Sequence, residues 1–107
     1  MQSSKSLLIK NILDYIEENY AEPITLNTLA DRVHISKEYL CRIFSSMSES
    51  SPIEYLNRYR IQKSAYMLMS TSKRVSEISL SCGFNSSSYF NKLFLRYMGC
   101  TPTEYRK

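Results

Sequence analysis

Apolar residues recur along the chain at spacings of three and four, and the charged and polar positions fall out of phase with them, which predicts amphipathic helices rather than strands. Leu8, Ile9, Ile12, Leu13 and Ile16, continued by Tyr20, predict a helix over residues 6–20 that ends before Pro23. It reads as scaffold, with Lys10, Asp14, Glu17 and Glu18 off the apolar stripe. Thr25 can cap a second helix, residues 26–33, whose inner face is Leu26, Leu29, Ala30 and Val33. His34-Ile35 turn the chain, and Ser36 caps a third helix over residues 37–48. There Leu40, Ile43, Phe44 and Met47 face inward, while Glu38, Cys41, Arg42 and Ser45 face outward. Pro52 opens a fourth helix, residues 52–70, at a position where its missing N–H costs nothing. Ile53, Leu56, Ile61, Met67 and Leu68 give that helix its apolar contacts. Arg58, Arg60 and Lys63 read as a solvated face, and Met67 and Met69 as pliant core filler.

The second part of the chain follows the same pattern. Beyond Thr71-Ser72-Lys73-Arg74, a fifth helix spans residues 75–81, with Val75 and Ile78 inward and Leu80 a further candidate for that face. Gly83-Phe84 make the next turn, and Asn85 and Ser86 cap a sixth helix over residues 87–98. Its inner side is Tyr89, Phe90, Leu93, Phe94 and Tyr97, and its outer side is Ser87, Ser88, Asn91 and Lys92. Gly99 is a natural helix stop, and Thr101-Pro102 begins a short last helix through Tyr105. The pattern is a repeat. A shift of 50 carries Tyr39, Arg42 and Phe44 onto Tyr89, Lys92 and Phe94, and Ser51-Pro52-Ile53-Glu54-Tyr55 onto Thr101-Pro102-Thr103-Glu104-Tyr105. Upstream the shift is 49 and pairs Val33-His34-Ile35 with Cys82-Gly83-Phe84. Histidine is among the few non-glycine residues enriched at positive φ, so His34 and Gly83 point to one backbone demand met twice. Two copies are too few for a solenoid.

A short helix, a tight turn and a capped second helix form a helix-turn-helix, whose second helix enters a DNA major groove. An ordinary αα-hairpin shares the pattern in one copy; its repetition favours the functional unit. The fourth helix, 19 residues at ~1.5 Å each, is about 28 Å long. That is commensurate with the ~34 Å between successive major grooves on one face of a duplex. The expected fold is all-α: about seven helices in two helix-turn-helix subdomains, residues 1–50 and 73–107, joined by a linker helix within residues 51–72.

Composition narrows the class. At 107 residues with 43% apolar content, 2 Gly and 3 Pro, the chain can fold as one small domain or two halves. Net charge is +4, but residues 1–34 carry three basic against five acidic residues, and residues 35–107 carry eleven against five. A basic excess confined to one part is the footprint expected for a polyanion partner. The longest apolar run, Ala65 to Met69, is far shorter than the roughly 20 residues of a membrane span, and the N-terminus has no secretory apolar core. Cys41, Cys82 and Cys100 lack CxxC spacing and His34 is the single histidine, which argues against a four-ligand zinc site; reduced thiols and a cytoplasmic location are expected. No cofactor or metal is expected.

Ile78 and Cys82-Gly83-Phe84, followed by Ser88-Tyr89-Phe90, Phe94, Tyr97, Gly99, Thr101-Pro102 and Glu104-Tyr105-Arg106, at these spacings resemble the DNA-binding domain of AraC/XylS-type bacterial transcription regulators. Ser51-Pro52-Ile53-Glu54-Tyr55-Leu56-Asn57-Arg58-Tyr59-Arg60 and Leu29-Ala30-Asp31-Arg32-Val33-His34-Ile35-Ser36 add to the resemblance, which covers nearly the whole chain. It implies double-stranded DNA and RNA polymerase as partners, transcription activation, and recognition helices in successive major grooves. By position it implies base contacts from Glu38, Cys41 and Arg42 in the first unit and Ser87, Ser88, Asn91 and Lys92 in the second. Arginine and lysine can donate to guanine, asparagine can pair with adenine, and glutamate can accept from cytosine. Ser36, Lys37 and Ser86, at helix N-termini, and Arg96 are expected at phosphates. Members often carry lysines where Ser45 and Ser46 stand, and a glycine where Glu49 stands. Weaker backbone contacts are therefore expected in the first half, with Lys92, Arg96, Arg106 and Lys107 holding the backbone in the second. Many members carry an upstream sensing or receiver domain and some are little more than the DNA-binding domain, so this chain is expected to be the nucleoid-associated output domain of a larger regulator, with a short regulator as the alternative.

Other classes fit less well. An enzyme would need one of the three cysteines beside His34, and no phosphate loop or carboxylate pair accompanies them. A protein-interaction bundle would put apolar residues where Arg42, Asn91 and Lys92 stand. A thiol switch at Cys41 has no resolving partner.

Overall fold

The computed structural model describes residues 4–107. Among them are seven helices and no strand: α1 (Ser4–Asn19), α2 (Leu26–Arg32), α3 (Lys37–Met47), α4 (Pro52–Ser70), α5 (Val75–Ser81), α6 (Ser87–Met98) and α7 (Pro102–Arg106). The chain divides into two compact units, one through Leu56 and one from Asn57 to Lys107, so α4 contributes to both.

In the first unit, Ile12 and Ile16 of α1, Leu29 and Ala30 of α2, and Leu40, Ile43 and Phe44 of α3 are buried, with Pro52 and Leu56 from the start of α4. Each fully buried isoleucine, leucine or phenylalanine side chain contributes roughly 1.5–3 kcal/mol. Thr25 caps α2 reciprocally: its Oγ1 accepts the Thr28 N–H at 3.1 Å, and Thr28 Oγ1 accepts the Thr25 N–H at 3.3 Å. In the second unit the core is Ile61, Ala65 and Leu68 of α4, Ile78 of α5, Cys82 and Phe84 of the turn, Phe90, Leu93 and Phe94 of α6, and Pro102 of α7.

The sequence repeat is a repeat of bonds. His34 has φ of 60° and Gly83 has φ of 93°, and after each the chain reaches back: the Ile35 N–H donates to Ala30 O and the Phe84 N–H to Ser79 O, both at 3.1 Å. Ser36 Oγ then accepts the Tyr39 N–H at 3.1 Å, and Ser86 Oγ the Tyr89 N–H at 3.2 Å. Downstream, Ser51 Oγ accepts the Glu54 N–H and Thr101 Oγ1 the Glu104 N–H, each at 3.1 Å. Phe44 meets Tyr55 edge-on with centroids 6.5 Å apart, as Phe94 meets Tyr105 at 5.5 Å.

Helices α3 and α6 end differently. Gly99 closes α6 in the left-handed conformation (φ 79°), its N–H donating to Leu95 O at 2.9 Å. With Glu49 in the place of a glycine, α3 ends instead at an extended Ser48, whose Oγ accepts the Ser50 N–H at 3.3 Å.

Several side chains depart from their expected faces. Met47, on the last turn of α3, is exposed because the chain leaves the helix there before another element covers it. Leu80 is 69% exposed: two residues on from buried Ile78 it is rotated about 200° around the helix. Met69 is also exposed, since it lies one turn on from exposed Tyr66 rather than on the Leu68 row. Arg60 reverses the expectation of a solvated cation. It is only 8% exposed, in the buried row Leu56, Arg60, Ser64, Leu68, and its guanidinium lies 5.8 Å from the centre of the Phe84 ring. Burial lowers its pKa, and Ser64, with no bulk beyond a hydroxyl, leaves room one turn on. Arg106 is likewise not a free cation for a polyanion: its Nε donates to Leu68 O at 3.1 Å and its Nη2 to Thr71 O at 3.3 Å, capping the carbonyl end of α4.

Gly83→Val forces a β-branched residue to adopt a φ of 93°, which costs on the order of 1–3 kcal/mol. Thermal unfolding should show a melting temperature lower by roughly 5–15 °C, and an unchanged value would refute the turn's role. Cys82 yields a second expectation. Burial pushes its thiol up to about 11 from an ordinary 9.0, so the protonated thiol is the form that the fold favours. The associated stability is intact below pH 9.0 and declines as pH rises from there towards about 11. At pH about 8, disulfide-exchange reagents should label Cys41 and Cys100 while Cys82 reacts only on unfolding; prompt labelling of all three thiols would contradict this.

Candidate nucleic-acid interface

Each unit presents one capped helix with an apolar inner face and a polar outer one. On α3, Leu40, Ile43 and Phe44 are buried, which turns Lys37, Glu38, Arg42 and Ser45 to solvent and leaves Cys41 half-buried between them. On α6, Phe90, Leu93 and Phe94 are buried, and Ser87, Ser88, Asn91, Lys92 and Arg96 are exposed. Every residue expected from sequence to contact bases or phosphates thus stands on an outer face or at a helix start, in two separate sets, one per unit.

The chemistry of the helix starts is specific. The Ser36 and Ser86 oxygens each accept the N–H of the third helical residue. Each hydroxyl hydrogen is left available for donation outward, beside the first two helix amides, which have no partner within the helix. Those amides carry the positive end of the helix dipole, so both starts suit an anion. Farther along α3 the picture changes. Ser45 Oγ donates to Cys41 O at 2.9 Å and Ser46 Oγ to Ile43 O at 2.7 Å, so these hydroxyls are turned back on their own helix. The outer face of α3 therefore relies on Arg42, Lys37 and Glu38 for outward polar chemistry, while α6 adds an amide, an ammonium and a guanidinium within six residues.

Tyr89 stands where the sequence was misread. Assigned to the inner side, it is 48% exposed, its ring tilted against Phe84 at 6.4 Å and its hydroxyl oxygen accepting from Asn57 Nδ2 at 3.1 Å. The buried Asn57 amide thereby fixes a tyrosine at the margin of the α6 outer face. Tyr39, its counterpart under the shift of 50, is also exposed. Leu95 was missed altogether; it is 50% exposed on the outer side of α6, a position that helical phase from Asn91 could have shown. Arg58 is exposed as expected, with its guanidinium 5.6 Å from the centre of the Tyr97 ring.

Elsewhere in the first unit a polar depression between α1 and the end of α2 is lined by Asn11, Asp14, Tyr15, Glu18, Arg32 and Val33, with Arg32 stacked 5.2 Å from the centre of the Tyr15 ring. It contains none of the outer-face residues of α3. No three His, Cys, Asp or Glu side chains gather to hold a metal among the described residues, and no described helix is long and apolar enough to cross a membrane.

Residues 29–107 match the family model described as a helix-turn-helix domain. The chain is 39% identical over 103 residues to the HTH-type transcriptional regulator YdiP of Escherichia coli K12, covering 96% of this chain and 34% of that protein. It therefore spans about a third of the length of such a relative. Among solved structures, the C-terminal domain of AraT, a response regulator from Geobacillus stearothermophilus, superposes with a TM-score of 0.90 at 30% identity, covering 97% of this chain and 87% of that one. The DNA-binding domain of the global transcriptional factor AdpA, solved in complex with a target DNA, superposes with a TM-score of 0.83 at 28% identity, covering 92% and 88%.

Proposed function

The chain belongs to the AraC/XylS family of helix-turn-helix transcription regulators, and we propose that it binds double-stranded DNA sequence-specifically through α3 and α6, each in its own major groove. The observation that carries this reading is the paired outer faces: two helices, separately capped and phased by equivalent turns, with every polar side chain of the base-reading kind directed outward. Arg42 and Lys92 donate to guanine O6 and N7, Asn91 pairs with adenine, and Glu38 accepts from cytosine N4. Cys41 offers an apolar contact, and Ser87 and Ser88 hydrogen-bond either type of base. The hydroxyls of Ser36 and Ser86, the amides beside them, Lys37 and Arg96 hold phosphates and set the register. The linker helix, residues 52–70, is about 28 Å long at ~1.5 Å per residue, commensurate with the ~34 Å between successive major grooves on one face of a duplex.

The same reading places the chain in the cytoplasm, at the nucleoid, as the output domain of a longer regulator with a sensing or receiver domain and RNA polymerase as a further partner. Support comes from relatives of which it spans about a third.

Selection by the purified chain from random duplexes of about 25 base pairs should enrich two short blocks with centres about 10 base pairs apart. Bulk binding without enrichment would overturn the reading. On the selected duplex, Arg42→Ala and Lys92→Ala should each cost ~1–3 kcal/mol and relax preference at one base pair; a uniform loss on all sequences would move that residue to the phosphates. Because Ser45 and Ser46 replace cations on α3, neutralising Lys92, Arg96 and Lys107 of the second unit together should flatten the salt dependence more than neutralising Lys37 and Arg42 of the first. Equal effects would refute that asymmetry.

A further inference from the structure

Leu95 is a large apolar side chain held half in water on a face otherwise made of polar groups. It lies one helical turn beyond Asn91 and Lys92, in the stripe Ser88, Asn91, Lys92, Leu95, while the core of the second unit is filled by Leu93 and Phe94. Its backbone is fixed: the Leu95 carbonyl accepts the Gly99 N–H at 2.9 Å, in the turn that closes α6. The matching position of the first unit is Ser45, whose hydroxyl is bonded to Cys41 O, so the two outer faces differ here in kind. In the major groove the thymine C5-methyl is the apolar group that base edges present, and an aliphatic side chain recognises it by excluding water.

Resting on the DNA-binding reading above, we propose that Leu95 is a specificity-determining residue that selects thymine through its 5-methyl group. Four residues at ~1.5 Å each separate it from Asn91 by about 6 Å, and base pairs stack at ~3.4 Å. The thymine it selects lies about two base pairs from the adenine paired to Asn91. The second recognition helix then reads hydrogen-bonding groups at its start and a methyl group farther along.

The test uses the 107-residue chain and its selected duplex. Each thymine in the block read by α6 is replaced in turn by deoxyuridine, which removes the methyl group and leaves the pairing intact, and affinity is measured by fluorescence anisotropy. At one position the wild-type chain should lose about fourfold, the value of one buried methyl-sized group. Leu95→Ala should bind the thymine duplex about fourfold more weakly, bind the deoxyuridine duplex as the wild type does, and melt at nearly the wild-type temperature. Sensitivity to deoxyuridine that persists unchanged in Leu95→Ala, or no sensitive position while the selected duplex is still preferred over a scrambled one, overturns the assignment to Leu95 and leaves the DNA reading standing. Equal affinity for selected and scrambled duplexes overturns the DNA reading itself.

Discussion

One residue of left-handed backbone between two helices is the constraint from which the rest of each unit follows. At His34 and Gly83 the chain reverses within two residues, and the next amide bonds back to the preceding short helix, Ile35 to Ala30 and Phe84 to Ser79. The capping serine comes two residues after the left-handed one in the first unit and three after it in the second. Turn and cap together fix where α3 and α6 begin, and therefore their rotational phase. A phase error of one residue is about 100° of helix rotation. It would turn Ile43 outward in place of Arg42, and Leu93 in place of Lys92. The outward chemistry of both helices is thus a consequence of a backbone torsion.

The same frame is completed by different local means. Glycine adopts the turn in the second unit without steric cost, whereas the first uses histidine, which tolerates the left-handed region better than most residues. Gly99 ends α6 with a left-handed cap, while α3 ends on an extended serine assisted by Ser50. Tyr105 sits closer to Phe94 than Tyr55 does to Phe44, and Phe84, Phe90 and Phe94 form a continuous aromatic series in the second unit. There Arg60 is buried against Phe84, and Arg106 closes the end of α4. Cations that sequence alone would leave to solvent or assign to a polyanion are thus used to build the scaffold that presents the others.

How far the chain could be read follows from these same physical features. The helix starts and phases were legible because Thr25, Ser36, Ser86 and Thr101 are caps that act within three residues, and because the repeat shows each turn twice. The outer faces followed once the inner stripe was found. Burial at helix margins was not legible. Met47, Met69 and Leu80 are apolar residues that no neighbouring element covers, and hydrophobicity by itself does not say where coverage stops. Arg60, Tyr89 and Arg106 were misplaced for the opposite reason. Each is positioned by a partner or ring far off in sequence, Phe84, Asn57 and Leu68 respectively, and local periodicity carries no trace of such pairs.

Equivalent frames with unequal outer residues bear on what kind of DNA site such a chain can prefer. Under the proposed reading, α3 presents a carboxylate, a half-buried thiol and a guanidinium where α6 presents a hydroxyl, an amide and an ammonium. Donor and acceptor sets that differ at corresponding positions favour different base pairs. Two identical half-sites would therefore satisfy one helix and leave the other with mismatched polar groups, each mismatch costing ~1–3 kcal/mol. An asymmetric operator, bound in one direction, is the arrangement in which both helices contribute. A direction of binding is what a regulator needs if its other parts are to face one end of a promoter. Under the proposed reading, that direction follows from the different outer residues of α3 and α6.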